Sequence, residues 1–377
     1  MEFRGSERST LGVEMELALV DPDGRGLVCA ASEVIAELGQ GPAAGTHPRI
    51  KHELYESTVE IVTGVCGSVA DARHDLAVEV SELLDVLEPR GIGVVSTGLH
   101  PFTPWHQLAY SPGERYAEIV EQIQWPVRRL ATHGLHVHVG VRSAETAIGV
   151  TGALTTYLPV LLALSASSPY WHGQDTGIAS ARAVVFGAMP RTGLPPPLTD
   201  WAEFEALLAA MIRTGTVQSV REIWWDVRPH PDFGTVELRM CDAVPTLREA
   251  MALAALGQCL VTELAERVDA GDRPPRLPEW VLRENKWRAV RYGTDAEVIL
   301  DADGRSQPLA ELAAGLVAEL APVAERLGCA EDLADIGLIL ERGPGYVRQR
   351  SVVDAGGSLE DVVDLLRREL LTDRPGG

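Results

Sequence analysis

The chain has 377 residues, 46% of them apolar and 23% charged, with a formal net charge of −21. That composition is globular, sufficient for a large core, and too acidic for a nucleic-acid binder, which needs a basic surface patch. Five cysteines, none closely spaced, exclude a disulfide framework or a cysteine zinc site and fit a reducing cytoplasm.

The amino terminus, MEFRGSERST, has no apolar signal region. The first predicted element is LGVEMELALV, residues 11–20. Strand alternation puts Glu14, Glu16 and Ala18 on one face and Val13, Met15, Leu17 and Leu19 on the other. In KHELYESTVEIVTG (51–64), an ideal strand places Glu56 and Glu60 on one face and Glu53 on the other. A bulge or turn is needed before Glu53 and Glu60 converge. Residues 69–87 have helical spacing and stop at PRG; GIGVVSTGLHPF (91–102) reads as a strand entering a loop. Residues 114–130 read as helix up to Trp125-Pro126, and LHVHVGV (135–141) as a strand with His136 and His138 on one face.

Residues 147–171 contain no Asp, Glu, Lys or Arg and predict one long buried helix. Its Gly, Thr, Ser and Pro159 content argues against a membrane span. Further amphipathic helices are predicted over 201–213, 247–268, 309–327 and 359–371. LPPPL (194–198) and DRPPRLP (272–278) read as turns. In the strand FGTVELRMCDAV (233–244), Glu237 and Arg239 oppose Val236, Leu238 and Met240. No linker or repeat divides the chain, so we expect one catalytic domain over 1–377, with its core at about 11–371 and a frayed tail at 372–377. Strands and helices follow no regular βα alternation. An α+β fold with a mainly antiparallel sheet follows.

Four strands thus set apolar residues against a face of Glu, His and Arg. A merely solvated face would mix in Lys, Thr, Gln and Ser. Carboxylates gathered on one face repel unless cations sit between them, and Mg²⁺ or Mn²⁺ takes such ligands. Only Lys51 and Lys286 are lysines, so a phosphate would meet mostly arginine forks. Metal ions with arginines are the parts of phosphoryl transfer from ATP; with no P-loop or GxGxxG, the nucleotide would bind on the sheet.

LGVEMELALVDP, HGLHVHVGV, SPYWHGQDTGIASARAVVF, WWDVRPHPDFGTVELRMCD and RENKWRAVRYG together resemble the glutamate–cysteine ligase type 2 family of bacterial carboxylate–amine ligases, from about Leu11 to Arg350. The resemblance implies a fold similar to the glutamine synthetase group: a curved, mainly antiparallel sheet, helices on its outer face, and Mg²⁺, ATP and an amino acid on the inner one. It implies ligation of a carboxylate, in the family the γ-carboxylate of glutamate, to an amine through an acyl phosphate. Glu14, Glu16, Glu53, Glu60, His136 and Glu237 then match metal ligands. Arg239 would hold the transferred phosphate beside Glu237, and His138 stands where relatives often have a small polar residue. Arg182, Arg228, Trp225, Asn285, Lys286 and Arg288 become candidates for substrate or ATP. Trp224 could line a pocket, and His172 and Asp175 lie in either a substrate loop or a surface connection.

The partners expected are small molecules and possible homodimerisation, with no nucleic acid or membrane. Two rival readings remain at this stage. One is a metal-dependent amide hydrolase using the His136-x-His138 pair, which requires regular (β/α) alternation. The other is a non-catalytic nucleotide-binding relative.

Overall fold

The computed structural model describes residues 1–21, 23–39, 46–272, 274 and 276–372. Its main sheet contains β1 (Leu11–Val20), β2 (Ile50–His52), β3 (Thr58–Val62), β4 (Gly93–Val95), β5 (Gly134–Gly140), β6 (Val227–His230) and β7 (Thr235–Asp242). The order is β6–β7–β5–β1–β3–β2, with β4 paired to the second half of β1. Every pairing in it is antiparallel, which removes the parallel βα repeat that a barrel hydrolase requires.

The apolar faces do what their alternation predicts. Leu11, Val13, Met15 and Leu17 are fully buried and share one core with Val137, Val139, Leu238 and the inner faces of helices Val69–Leu87 and Leu247–Asp269. Ser68 starts the first helix by accepting the Asp71 N–H, and Thr246 starts the second by accepting that of Glu249. Gly257 of the second helix lies directly over the sheet, its Cβ position at ordinary contact distance from Leu238 (3.5 Å) and Val137 (3.6 Å). The helices therefore cover one sheet face and leave the other free.

The 51–64 segment is two strands, not one. The chain turns between β2 and β3, so Glu53 and Glu60 come to the same side. Glu56 leaves that side altogether. Its carboxylate accepts the Ser32 N–H at 3.0 Å and the Ser32 hydroxyl at 2.6 Å, at the start of helix Ala31–Leu38.

The uncharged stretch also differs from expectation. It forms two helices, Ala144–Leu154 and Leu158–Ser165, bent by 67°, followed by extended Tyr170–Trp171. Pro159 explains the break: it has no N–H and its ring crowds the preceding turn, so it fits only the first turn of a new helix. Among the described residues no single helix is long and apolar enough to cross a membrane. Helix Glu114–Ile123 ends earlier than predicted, at Gln124, whose φ is 60°; a short 3₁₀ turn, Val127–Arg129, follows Pro126.

Two cysteines 70 positions apart meet in the core. Cys259 and Cys329 lie with their sulfurs 3.7 Å apart. The last helix, Leu359–Thr372, takes in the first residue of the expected frayed tail; residues 373–377 lie outside the described residues, as do 273 and 275 of the second Pro-rich turn.

Candidate active site

The sheet register brings the acids together. Across β1, Glu14 stands opposite His136 and Glu16 opposite Glu60; farther along, His138 stands opposite Glu237, and Glu237 opposite Arg228. A bulge between Leu238 and Cys241 follows, with the Arg239 N–H bonded to the Asp226 carbonyl. These side chains line a cavity of about 500 Å³ on the face that the helices leave free.

Two overlapping sets of metal-ligating groups result: Glu14, His136 and Glu237, and Glu16, Glu60 and His136. Within each set the ligand atoms lie within 4.8 Å of one another. Their electrostatics differ. Glu14 accepts from His136 at 3.1 Å and has His138 Nε2 at 3.4 Å. Burial alone would raise its pKa, but these two imidazoles outweigh burial and hold it well below the usual range. Glu237 is likewise buried, yet Arg239 and Arg228 hold it low; Arg228 Nε donates to it at 2.6 Å. Burial opposes charge on His138, but Glu237 and Glu14 prevail and raise its pKa. That half of the site is compensated by the protein's own cations.

The other half is not. Burial and Glu53 raise Glu16 to about 8; burial and the charge of Glu14 raise Glu60 well above the usual value; burial raises Glu53 too. Glu16 and Glu60 face each other directly, an arrangement that destabilises a sheet unless a cation or proton intervenes. Burial lowers His136 to about 4, so its imidazole is neutral at pH 7, as a metal ligand must be. Oxygen donors with one imidazole suit Mg²⁺, and Mn²⁺ at least as well.

A pH dependence follows. Below its ordinary value of 4.5, Glu16 is protonated folded and unfolded alike; as pH rises toward about 8, the unfolded chain ionises first and folding loses stability. In chelator, wild type should therefore lose Tm relative to Glu16→Gln between about pH 5 and 8. Saturating Mg²⁺ should close that gap with proton release, measured by calorimetry in buffers of different ionisation enthalpy. A gap that does not change with pH would contradict it.

Two arginines complete the lining. Arg182 is 3% exposed, 3.9 Å from Asp242, and donates to the Met240 carbonyl at 3.3 Å. Its Nε has no partner, and neither has that of Arg239. Both guanidinium groups line the cavity, a setting suited to an oxyanion, while the two Nε atoms themselves are sealed from solvent. Arg228 also lines the cavity, but it spends its donors on Glu237 and on the carbonyls of Val220 and Ile223.

Several expected site residues lie elsewhere. Trp225 packs into a separate core with Trp201 and Phe204, while its neighbour Trp224 lines the cavity. Asn285 clamps the backbone of Ile299 through both its amide groups, at 2.8 Å each. It faces a second, mainly apolar cavity. Arg288 is tied to Glu284 and the Glu297 carbonyl. Lys286 bonds the Asp226 carboxylate at 2.6 and 2.9 Å, in a small pocket that Arg239 also lines. His172 and Asp175 belong to an exposed hairpin, where Asp175 pairs with Arg350. Asn285→Ala should therefore cost about 2–3 kcal/mol of stability by urea unfolding and leave the KM for every substrate unchanged. A raised KM at unaltered stability would return Asn285 to the site.

A third grouping, His47 with Glu79 and Glu82, lies outside the cavity. His47 Nδ1 accepts the N–H groups of Ile50 at 2.9 Å and Arg49 at 3.3 Å. The ring proton thus sits on Nε2, 3.3 Å from Glu82, and that nitrogen is no ligand.

Comparison with known proteins now bears on this geometry. The model of glutamate–cysteine ligase family 2 matches residues 10–365. The chain belongs to that family. It is 47% identical over 375 residues to a Thermobifida fusca protein provisionally named glutamate–cysteine ligase 2, covering 100% of this chain and 94% of the relative. A Frankia alni protein, provisionally named glutamate–cysteine ligase 2-1, is 49% identical over 374 residues, covering 99% and 98%. Among solved structures, the glutamate–cysteine ligase of Francisella tularensis in complex with AMP superposes with a TM-score of 0.69 at 14% identity, covering 99% of this chain and 90% of that one. A bifunctional glutathione synthetase from Pasteurella multocida gives the same TM-score at 15% identity, over 96% of this chain and 52% of that one. The expected antiparallel sheet with helices on one side is thus the glutamate–cysteine ligase fold, and the family is one of carboxylate–amine ligases.

Proposed function

We propose that this carboxylate–amine ligase joins the γ-carboxylate of glutamate to an amine, using ATP and Mg²⁺ or Mn²⁺, through an acyl phosphate. The observation that carries this reading is the uncompensated half of the cavity: Glu16, Glu53 and Glu60, gathered half-buried on its wall, with Glu16 directly opposite Glu60. Glu14, Glu16, Glu53, Glu60, His136 and Glu237 would hold the metal ions. Bound there, the ions neutralise phosphate charge so that an anionic carboxylate can approach. Arg239, held at the floor by Glu237, would supply the fixed cation beside the transferred phosphoryl group, where such a charge counts most. Arg182 holds a substrate carboxylate. Arg228 and His138 position Glu237 and Glu14. We place the whole activity in a single domain acting on small molecules in the cytoplasm, in keeping with the five free thiols.

Hydroxylamine tests the reading, since it traps an activated carboxyl group whatever amine the enzyme prefers. Glutamyl hydroxamate with stoichiometric ADP, dependent on both Mg²⁺ and glutamate, is the expected result. No hydroxamate from glutamate, or ADP release that ignores the carboxylic acid, would overturn it.

A further inference from the structure

The cavity has two chemically different ends. β6 pairs Val227 with Leu238 and His230 with Thr235, so Trp224, three residues before Val227, lies toward the Cys241 and Gly134 end of the sheet. β2 runs from opposite Ile61 to opposite Val59, which carries Leu54 toward that same end, past Glu16 and Glu60. There Leu54 and Trp224 join Val127, Leu130, Phe186 and Met189 in one apolar cluster that lines the cavity. Ile119, from helix Glu114–Ile123, helps to wall it. The opposite end is open: Phe233, 56% exposed in the turn between β6 and β7, stacks on His230 with ring centroids 4.1 Å apart.

Arg182 marks the junction. A Cβ on Gly134 would fall 2.3 Å from Arg182 Nη2 and 3.0 Å from His136 Nε2, so the guanidinium reaches the ligand set. It also lies 5.5 Å from the Phe186 ring, at the edge of the apolar end.

We propose that the apolar end is the acceptor subsite, and that the acceptor is an amine with an apolar body larger than a cysteine side chain and no second charge at its far end. This rests on the ligase reading above and names its second substrate class. With the donor carboxyl group held at the Arg182 junction, an amine whose body fills the apolar end directs its nitrogen to the activated carbon. The nitrogen lone pair forms the C–N bond as the C–O bond to phosphate breaks, and phosphate leaves with that electron pair. Of the two protons the ammonium group gives up, one ends on phosphate and one in water. Selection follows from burial: an apolar side chain gains on leaving water, whereas a distal ammonium would lose its hydration against the walls formed by Leu54, Trp224, Phe186 and Met189.

The experiment supplies the full chain with ATP, Mg²⁺ and glutamate, and compares glycine, cysteine, leucine, phenylalanine, phenethylamine and putrescine as acceptors, with hydroxylamine as a small trap. We expect kcat/KM to rise about tenfold to a hundredfold from glycine to phenylalanine, with putrescine unused. Trp224→Ala should shrink the ratio of phenylalanine to glycine. Hydroxamate formation together with a preference for glycine, cysteine or putrescine would overturn the acceptor proposal and leave the ligase reading standing. Absence of hydroxamate would overturn both. A Trp224→Ala variant with an unchanged acceptor ratio but a raised KM for ATP would assign the apolar end to the nucleotide base, and overturn the proposal in that way.

Discussion

Glu16→Gln is expected to lower Mg²⁺-dependent turnover at least about a hundredfold and, in chelator at pH 8, to raise Tm by about 2 °C. The two effects have one cause. Glu16 faces Glu60 across the β1–β3 ladder and has Glu53 nearby, all of them half-buried in the cavity wall. Glutamine keeps the size of the side chain and an oxygen that can still accept the Gly134 N–H, which Glu16 holds at 2.5 Å. What it removes is the charge that repels Glu60 and attracts a cation. Activity and metal-free stability should therefore move in opposite directions, a combination that a merely structural residue does not produce. Turnover within about twofold of wild type would take Glu16 out of the metal set.

The second large effect concerns stability. Arg228→Met should cost about 3–5 kcal/mol by denaturant unfolding, because it leaves the buried carboxylate of Glu237 short of one of its two guanidinium partners and frees the carbonyls of Val220 and Ile223. Glu237→Gln alone also loses stability, by leaving the arginines without their anion. The double variant should lose less than the sum of the two, by about 1–3 kcal/mol, since each change removes the other's unpaired charge. All three should be inactive. Simple additivity would mean that Arg228 acts through the two carbonyls and not through Glu237.

The legible parts of this site were those written in a local period. Alternation in β1, β5 and β7 separates a core face from a chemical one residue by residue, and the observed register carries Glu14, Glu16, His136, His138, Glu237 and Arg239 to one cavity. Glu53 required a turn whose existence no period encodes. Period also fails to choose between adjacent residues: Trp224 and Trp225 point opposite ways from extended backbone, and either could have been the lining one. Asn285 and Lys286 are a similar case on a helix, one facing the Ile299 backbone and the other Asp226. The apolar end of the cavity is drawn from Leu54 to Trp224, with intervening members from separate elements, so only tertiary structure assembles it. The pairing of Cys259 with Cys329 is equally long-range.

Helix Glu114–Ile123 forms part of the cavity wall, yet none of its residues is buried. It rests on the cavity through Tyr116, whose hydroxyl donates to the His52 carbonyl at 2.8 Å, and through half-buried Ile119, Val120 and Ile123. With so little apolar area removed from water, this wall has a low opening free energy, and its amides should exchange with solvent deuterium sooner than those of the capped helices behind the sheet. A molecule filling the cavity would supply the contacts that the helix lacks. Some of its binding free energy then goes into holding the wall shut, so measured affinity understates the fit between ligand and site.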